Sequence, residues 1–363
     1  MTAEYFAPEF RVELKGASLA ADVTRNITDI SVTLAADAID SLRLTLANPY
    51  PAMRWTHTND SRLFLEGTPI KVWMGYADAP LALMFDGELT GMTPSFPESG
   101  SPTLAVEGYS RLQRLQRRSD LITLRDATDG AMVDRIAQAS GLSTQVEDPG
   151  TRHPQLTTGK QCHLKYLMER AGAVGREVWV QGTVLHFAKP RATGRPAYTL
   201  VWGRTRDSFT PGSLPLQRFS PTLDMRKQVS AVVVRGQDPL TRKVIEGRAA
   251  AGSEDLKLGG AQTGAQAAAK APGGAAEMVV VDEPVTSHAQ AEARARALYN
   301  DRVMEFIRGS GSTLGIPGLR PGTVVTLDGL GRFNGRYYVT QSTHSIGGGG
   351  YSTSFEVRKN SVG

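Results

Sequence analysis

Short runs in which apolar and polar residues alternate fill both ends of this chain of 363 residues. Alternation with a period of two is typical of strands that bury one face, and many such runs at short spacing predict antiparallel sandwiches or barrels. The clearest runs are Phe10–Leu14, Ile30–Leu34, Leu42–Leu46, Ile70–Met74, Leu104–Gly108, Thr323–Leu327, Arg336–Ser345 and Tyr351–Arg358. Turn signals such as Asp86-Gly87 separate them, and 38 glycines and 20 prolines supply the turns that short strands need. We therefore predict a mainly β fold, with residues 1–118 as a first antiparallel unit.

Residues 119–205 follow a different pattern, which predicts a small α+β module. Asp129 is a typical N-cap before a run with helical apolar spacing, and a second helix is predicted over His163–Ala171. The runs Glu177–Val180 and Thr183–Phe187 alternate around a Gln-Gly turn and predict a hairpin.

Residues 206–363 predict a second β unit with one long interruption. Eleven alanines and six glycines dominate residues 248–277, with few large apolar side chains, so we expect a flexible loop there. Such a loop could lie free on the outer surface or become ordered on assembly, and the sequence leaves both open. Ser287 and Gln290 form a capping-box pattern that predicts a helix over residues 287–308.

The two β units echo each other. In each, a Gly-Thr turn leads into a strand, a Phe-(Asp/Asn)-Gly turn follows, and a further strand closes the unit. The matching segments are Gly67–Val72 with Gly322–Leu327, Phe85–Leu89 with Phe333–Tyr337, and Thr103–Glu107 with Ser354–Arg358. Turn residues recur in any β protein, so chance recurrence is the alternative. A true duplication would give three chains six similar units, which lets a trimer match a hexamer.

The C-terminal run from Phe333 to Asn360, the segment Phe96–Leu115 and the module that ends at Phe187 together resemble the phage late control protein D family. That family forms the hub of contractile tail baseplates, and the order of parts is also similar to the hub portion of VgrG proteins in type VI secretion.

This resemblance implies a homotrimeric ring with two tube-type antiparallel β-barrel domains per chain, related by pseudo-duplication, plus the α+β module. The implied partners are a hexameric tail tube protein on one face, a trimeric spike protein on the other, and possible contacts with tape-measure and baseplate wedge proteins. The implied location is the tail baseplate of a virion assembled in the bacterial cytoplasm. Because the sequence ends at Gly363 without a spike extension, we expect the spike to be a separate protein.

Composition limits the alternatives. Lys and Arg total 41 against 36 Asp and Glu, a formal charge of +5, and Cys162 is the only cysteine, which excludes an intrachain disulfide. No run approaches the roughly 18 apolar residues of a membrane span, and the first ten residues lack the pattern of a signal peptide. We expect a chain that does not insert into membranes.

The sequence shows little sign of catalysis. No two of the six histidines have the i, i+4 spacing of a helical metal site. His153 and His163 flank Cys162, so a metal or Cys–His pair is conceivable, although a small buried thiol is the simpler interpretation. His344 could be a base or a satisfied strand residue. We predict no enzyme, cofactor or metal; the alternatives are a tail-associated cell-wall hydrolase and a carbohydrate-binding β module.

Two pairs of neighbouring carboxylates, Glu254-Asp255 and Asp282-Glu283, lie in the Ala/Gly-rich segment and beside a proline. Nothing in the sequence fixes the separation that acid/base glycoside hydrolysis requires, so we interpret both pairs as solvated charge.

Four arginines form the strongest charge cluster: Arg111, Arg114, Arg117 and Arg118. Their spacing of three or four residues matches one helical face, which could contact phosphates. No aromatic residues alternate with them, so we predict ion pairs with a neighbouring subunit or with the α+β module, no stable nucleic-acid binding, and a channel that they do not line.

Overall fold

The computed structural model describes residues 7–50, 55–57, 65, 67–192, 195–203, 213–237, 241–271, 276–281 and 285–363. The fold is mainly β with a few helices, as the alternating runs predict. Within these ranges, no helix combines the length and the apolar composition needed to cross a membrane.

The first β unit contains seven strands and two short helices. They are β1 (Pro8–Leu14), β2 (Ala17–Ser18), α1 (Ala21–Arg25), β3 (Ile27–Ala35), β4 (Ser41–Ala47), β5 (Pro69–Tyr76), β6 (Ala82–Ser95), β7 (Thr103–Ser110) and α2 (Gln113–Gln116).

The α+β module follows, with both predicted helices and the predicted hairpin. It consists of β8 (Thr123–Thr128), α3 (Asp129–Ala139), β9 (Ser143–Val146), β10 (Arg152–Thr157), α4 (His163–Ala173), β11 (Glu177–Gln181) and β12 (Val184–Ala188). The N-cap of α3 is Thr128, whose hydroxyl accepts from the amide of Ala131, and not Asp129 as predicted. Asp129 instead lies in the first turn and pairs with Arg170 at 2.7 Å.

The rest of the chain forms the second β unit and an insertion. The elements are β13 (Tyr198–Trp202), β14 (Ser213–Leu223), β15 (Ala231–Gln237), β16 (Val244–Ala250), β17 (Gln262–Thr263), α5 (Gly264–Ala269), β18 (Glu277–Val280), α6 (His288–Met304), β19 (Ile307–Leu314), β20 (Val324–Asp328), β21 (Gly335–Gly347), β22 (Gly350–Lys359) and β23 (Ser361–Val362).

Two sets of six strands share one order. We call β1 and β3 to β7 the first copy, and β13, β14 and β19 to β22 the second copy. Numbered along the chain within each copy, the strands lie in the order 2-3-6-5-4-1 in both. The second copy is a closed barrel, because its strands 1 and 2, β13 and β14, also pair.

Register irregularities fix the equivalence residue by residue. In the first copy the β6–β7 ladder shifts between Leu89 and Gly91, and in the second the β21–β22 ladder shifts between Val339 and Gln341. The extra residue is a threonine in both: Thr90 Oγ1 donates to the Glu107 carbonyl and Thr340 Oγ1 to the Glu356 carbonyl, each at 3.3 Å. The predicted duplication is therefore present in backbone detail.

The Gly-Thr motifs of the two copies are also equivalent. Gly67 and Gly322 both have positive φ, 77° and 90°. The carbonyl of Thr68 accepts from Leu89 N and that of Thr323 from Val339 N, each at 2.9 Å. The left-handed backbone explains why glycine precedes the strand in both copies.

The Asp86-Gly87 motif is not a turn, contrary to our prediction, because both residues lie inside β6. A Cβ on Gly87 would lie 2.3 Å from the carbonyl oxygen of Tyr109 and 2.5 Å from the Phe85 ring. Glycine is required here for close strand contact and not for reversal of the chain.

The copies are joined by one ladder. β3 pairs antiparallel with β21 over Ile30–Ala35 and Gln341–Ile346. β6, β7, β4, β3, β21, β22, β19 and β14 thereby form a continuous eight-stranded antiparallel sheet.

The Ala/Gly-rich segment has regular structure, so the prediction of a loop over residues 248–277 is wrong in its described part. Thr263 and Gln266 form a capping box that starts α5, and Ala265 and Ala268 are buried. Leu258 packs in a small cluster with Val324 and Tyr338. Small side chains permit this close packing, so burial of a few residues orders a segment that is poor in large apolar groups.

This segment belongs to an insertion between β14 and β19. The three-stranded sheet β16-β15-β18 packs against α6 around a core of its own. Ser287 caps α6 as predicted, but the helix ends at Met304, earlier than residue 308. Ile307 already belongs to β19, because it pairs with Leu223 of β14 and with Lys359 of β22.

Candidate functional site

The joined sheet presents a polar face that runs through both copies. Along each strand, buried apolar residues alternate with partly or fully exposed residues that are mostly small and polar. One residue of this face from each strand, in sheet order, is Thr93, Glu107, Arg43, Thr33, Thr343, Glu356, Ser310 and Thr222. Arg43 and Glu107 form a cross-strand ion pair of 2.7 Å. The face thus offers hydroxyl groups and few unpaired cations.

Hydroxyl pairs lie across the junction of the two copies. Thr33 and Thr343 are opposite each other with their hydroxyl oxygens 3.0 Å apart, and Ser31 and Ser345 follow at 3.4 Å. Such cross-strand pairs support one register, since a slip of one residue would turn the polar side chains into the core.

The buried side of the junction contains a histidine. His344 Nε2 lies 3.1 Å from the carbonyl oxygen of Leu319, which can only accept, so this nitrogen carries the proton. Nδ1 lies 3.1 Å from the hydroxyls of Tyr351 and Thr353. Burial, with the nearby Arg320 charge, lowers the pKa of His344 to about 3. A neutral histidine with bonds on both nitrogens agrees with the interpretation of a satisfied strand residue.

A cavity of about 660 Å³ lies where both copies meet the module. Four charged residues line it: Asp40, Asp86, Arg191 and Arg320. Burial raises the pKa of Asp40 to about 6, although its carboxylate accepts from Ala35 N. Arg320 donates to the Leu83 carbonyl at 2.6 Å and to the Pro317 carbonyl at 2.9 Å, so it ties the first copy to the second.

Three of the four clustered arginines bind within the chain. Arg111 donates to Asp86 at 2.7 Å and to the Gly182 carbonyl at 2.9 Å, which connects β6 with the hairpin of the module. Arg114 pairs with Glu88 and donates to the Ser140 carbonyl at 3.1 Å.

Arg118 donates to the Ala139 carbonyl and pairs with Asp120 at 3.1 Å. Arg117 is exposed, and among the described residues it has no recorded bond. The cluster therefore attaches the module to the first copy, and a contact between Arg117 and another subunit stays a prediction.

The module is also attached to the second copy. Register places Tyr338 at the position equivalent to Glu88, one residue before the bulge pair. Tyr338 donates to Glu177 of β11 at 2.6 Å, and burial raises the pKa of that carboxyl. Glu88 of the first copy thus holds the module through Arg114 and the Ser140 carbonyl, and its equivalent Tyr338 of the second copy holds the module through Glu177.

The two histidines beside Cys162 have other partners, and the free thiol of Cys162 is partly, and not fully, buried against the core of the module. His153 contacts Arg170 and Asp129, whereas the buried His163 lies 2.9 Å from the Asp120 carbonyl. In the described ranges, no three His, Cys, Asp or Glu side chains are grouped as metal ligands.

The pair Glu254-Asp255 is not freely solvated charge as predicted, because Glu254 is partly buried and both carboxylates have partners within the chain. Glu254 accepts from Tyr299 at 2.7 Å and Asp255 pairs with Arg296. Asp282 and Glu283 lie outside the described residues.

One group that the sequence does not reveal is an aromatic cluster beside the end of β6. The Trp55 ring lies 4.2 Å from that of Tyr50 and 4.6 Å from that of Phe96. Tyr50 is 44% exposed and Phe96 52%. Phe96 is about forty residues from Tyr50 and Trp55 in sequence, and the three residues follow no periodic pattern.

The comparisons with known proteins concern the whole chain. The model of one family, described as the Alg8 N-terminal domain, matches residues 7–348. No curated protein matches the chain in sequence.

Three solved structures share the fold. The 43 kDa tail protein of prophage MuSo2 from Shewanella oneidensis has a TM-score of 0.70 at 15% identity, over 97% of this chain and 98% of that one. The tail protein from Neisseria meningitidis MC58 has a TM-score of 0.68 at 13% identity, over 98% and 97%.

The third is the E. coli c3393 protein, a component of the type VI secretion system with structural similarity to T4 bacteriophage tail proteins gp27 and gp5. It has a TM-score of 0.59 at 10% identity, over 95% of this chain and 76% of that one. The chain therefore has the fold of phage tail proteins, and the resemblance inferred from its sequence is confirmed at the level of fold.

Proposed function

The chain belongs to the Alg8 N-terminal domain family, and from its tail-protein fold and its two copies of one strand order we propose that it is the baseplate hub of a contractile phage tail or a related injection particle. It acts as a structural protein of the late control protein D type and not as an enzyme. Three copies form a ring with pseudo-sixfold symmetry, which joins a hexameric tail tube to a trimeric spike.

One observation carries this proposal: the two copies match in strand order, bulge position and bulge hydrogen bond. A threefold ring of such chains offers six similar units to the tube, while its own symmetry stays threefold for the spike. The two ends of the ring can then meet partners of different symmetry without a change of fold.

The polar face supports a role as the wall of a channel. Small hydroxyl side chains cover much of this face, and three of its cations are paired with carboxylates: Arg43 with Glu107, and Arg308 and Arg358 with Glu305. Such a surface gives a highly charged polymer few free cations to bind. Three of the clustered arginines are occupied within the chain. We accordingly propose that DNA passes without stable binding.

The three predicted units have separate roles in this proposal. Residues 1–118 supply one β unit of the ring, and the residues from β13 (Tyr198–Trp202) to Gly363 supply the other, because β13 closes the second copy although it lies before residue 206. The rest of the predicted segment 119–205, as far as β12, forms the module between them. Separate apolar cores for the two copies and the module support this division.

Mass measurement under native conditions tests the proposal. The purified protein, alone and mixed with tube and spike proteins from the same particle, is expected to give the mass of three 39.1 kDa chains and to bind both partners. A protein that stays monomeric with both partners present would contradict the hub, and release of cell-wall fragments by the protein would favour the hydrolase.

A further inference from the structure

We propose that neighbouring chains of this ring pair through two open strand edges, the C-terminal half of β6 in one chain and of β14 in the next. The inference rests on the proposed function and adds the contact that closes the ring. The partner at this surface is a second copy of the same chain, and the contact repeats the ladder between β3 and β21.

The internal ladder is the template. One edge of β21 has two partners in succession: β20 along Gly335–Tyr338, then β3 along Gln341–Ile346. Strand 5 of the second copy thus extends beyond strand 4 and there accepts strand 2 of the first copy.

The equivalent edges are open in the described structure. In the first copy, β5 pairs with β6 as far as Glu88, and Leu89 still bonds to Gly67 and Thr68, whereas Gly91–Ser95 pair with β7 alone. In the second copy, β13 pairs with β14 only as far as Leu216, and the rest of β14 bonds to β19 alone. β6 is equivalent to β21, and β14 is equivalent to β3. Because β21 and β3 pair with each other, β6 and β14 each lack a partner that their equivalents have.

The bulges determine the register. The β3–β4 ladder shifts between Ile27 and Asp29, and the β14–β19 ladder between Leu216 and Arg218. Ser31-Val-Thr-Leu34 then matches Ser220-Pro-Thr-Leu223. With the β6–β21 equivalence, Thr93 lies opposite Thr222, as Thr343 lies opposite Thr33. Ser95 likewise lies opposite Ser220, so both hydroxyl pairs of the internal junction recur.

Exposure supports a missing partner. At the internal junction Ile30 is 0% exposed and Ile346 is 7% exposed. The equivalent of Ile346 is Phe96, which is 52% exposed, and Met92 is 37% exposed. Pairing would place Phe96 opposite Phe219 and cover its contact with Trp55. Aromatic residues at the centre of a contact are typical of strong binding positions.

Two prolines make the edges selective. The amide of Ala36 donates to the Thr340 carbonyl, and hydrogen-bonded pairs alternate with non-hydrogen-bonded pairs along an antiparallel ladder. Val32 and His344 are therefore also a hydrogen-bonded pair, whose backbone groups point at each other. Their equivalents are Pro221 and Pro94, each lacking a donor on the open side. An unrelated strand would lose hydrogen bonds there, as expected of protected edges. In this register the prolines lie opposite each other, so the two gaps coincide.

The two edges differ, so the contact is heterologous. Such a contact makes a ring if the rotation closes and a filament if it does not. In the ring, each chain contributes its eight-stranded sheet, and the polar faces join into one wall.

Disulfide trapping tests the pairing. In a Cys162→Ser background, Thr93→Cys and Thr222→Cys are made separately and together. Directly opposite, non-hydrogen-bonded residues have Cα atoms roughly 4.5 Å apart, within the range of a disulfide. Oxidation of the mixed single variants should give a covalent dimer that neither variant gives alone, and the double variant should give a covalent trimer.

The chain supplies matched controls. Thr33→Cys with Thr343→Cys traps the internal ladder and should stay at monomer mass under denaturing conditions. Thr93→Cys with Ser220→Cys is two residues out of register, and it should cross-link at least tenfold more slowly than Thr93→Cys with Thr222→Cys.

The outcomes separate the pairing from the hub. A trimer by native mass without the Thr93–Thr222 cross-link, or equal rates for both registers, would overturn the pairing and leave the hub. Cross-linked chains longer than three would support the pairing and overturn the ring. A monomer that does not cross-link would overturn both.

Discussion

The two copies differ most in their first strand. β1 runs antiparallel to β5 in the first copy, whereas β13 runs parallel to β20 and to β14 in the second. The second copy is therefore closed by its own strands, while β3 of the first copy pairs with β21 instead. Reversal of a single strand decides whether a copy closes on itself or extends a sheet shared with the other.

The connections differ as well. In the first copy, residues 36–40 link strands 2 and 3 directly, whereas in the second copy the same link contains the insertion with α6. The shared core of strands 2, 3, 6 and 5 is unaffected, so length added at one loop leaves the junction intact.

The largest effect that we expect is a difference in the free energy of unfolding when a core leucine is truncated. Because the second copy is a closed barrel, truncation there should cost more than in the first copy. Leu200 of β13 is 0% exposed between β20 and β14, whereas Leu14 of β1 is 9% exposed between β5 and the two-residue edge strand β2. Leu200→Ala should cost about 4 kcal/mol and Leu14→Ala about 2 kcal/mol of the free energy of unfolding, within the range for buried leucines.

Urea unfolding of both variants measures this difference. The chemical change is the same, so each variant is the control for the other. Equal losses would mean that closure by the parallel ladders adds no rigidity.

The second largest effect that we expect is a difference between the copies in how acid changes the free energy of unfolding. His344 of the second copy is equivalent to Pro94 of the first, so only one copy buries a titratable group there. Because the folded pKa is lowered to about 3 and the unfolded value is 6.5, the stability from neutral His344 is complete above pH 6.5. It is lost as the pH falls towards 3, by about 2 kcal/mol at pH 5.

His344→Gln keeps a donor for the Leu319 carbonyl and cannot be protonated. The difference in stability between the natural protein and this variant should shrink by about 2 kcal/mol from pH 7.5 to pH 5, measured by urea unfolding. Asp40, with its pKa raised to about 6, acts in the opposite direction and is common to both proteins. A constant difference would show that His344 is not buried as a neutral group.

The sequence predicts the strands and the duplication well, because alternation and Gly-Thr turns are local signals. Gly67 and Gly322 are equivalent as expected. The predicted match of Phe85–Gly87 with Phe333–Gly335 is wrong, because the bulges make Gly335 the equivalent of Phe85.

The sequence fails where glycine serves a contact, as at Gly87, because close approach of two strands depends on residues distant in sequence. The order of α5 was missed for the same reason, since Leu258 and Ala265 are buried against other parts of the chain.

The candidate site was accessible to sequence only in part. The arginine spacing identified a cluster, but not that Asp86, Glu88 and the Ser140 carbonyl would bind it. The match between Ser31–Leu34 and Ser220–Leu223 is too short to distinguish from chance by sequence alone. The bulges at Ile27/Asp29 and Leu216/Arg218 show that the two segments are equivalent. Pro94 and Pro221 mark β6 and β14 as edge strands in the sequence, but the strand that each edge meets depends on pairing between residues distant in the chain.

The smallest expected effect tests the equivalence itself. Thr90→Val and Thr340→Val each remove one hydroxyl bond of 3.3 Å at the same bulge, so each should cost about 1 kcal/mol, and the two losses should agree within about 0.5 kcal/mol. Thr103→Val is the control, since no bond of that hydroxyl is recorded among the described residues, and it should change stability less. Urea unfolding measures all three. A clear loss at one bulge with none at the other would mean that the copies match in backbone path and not in the interactions that hold it, because an equal bond in an equal setting must contribute equally.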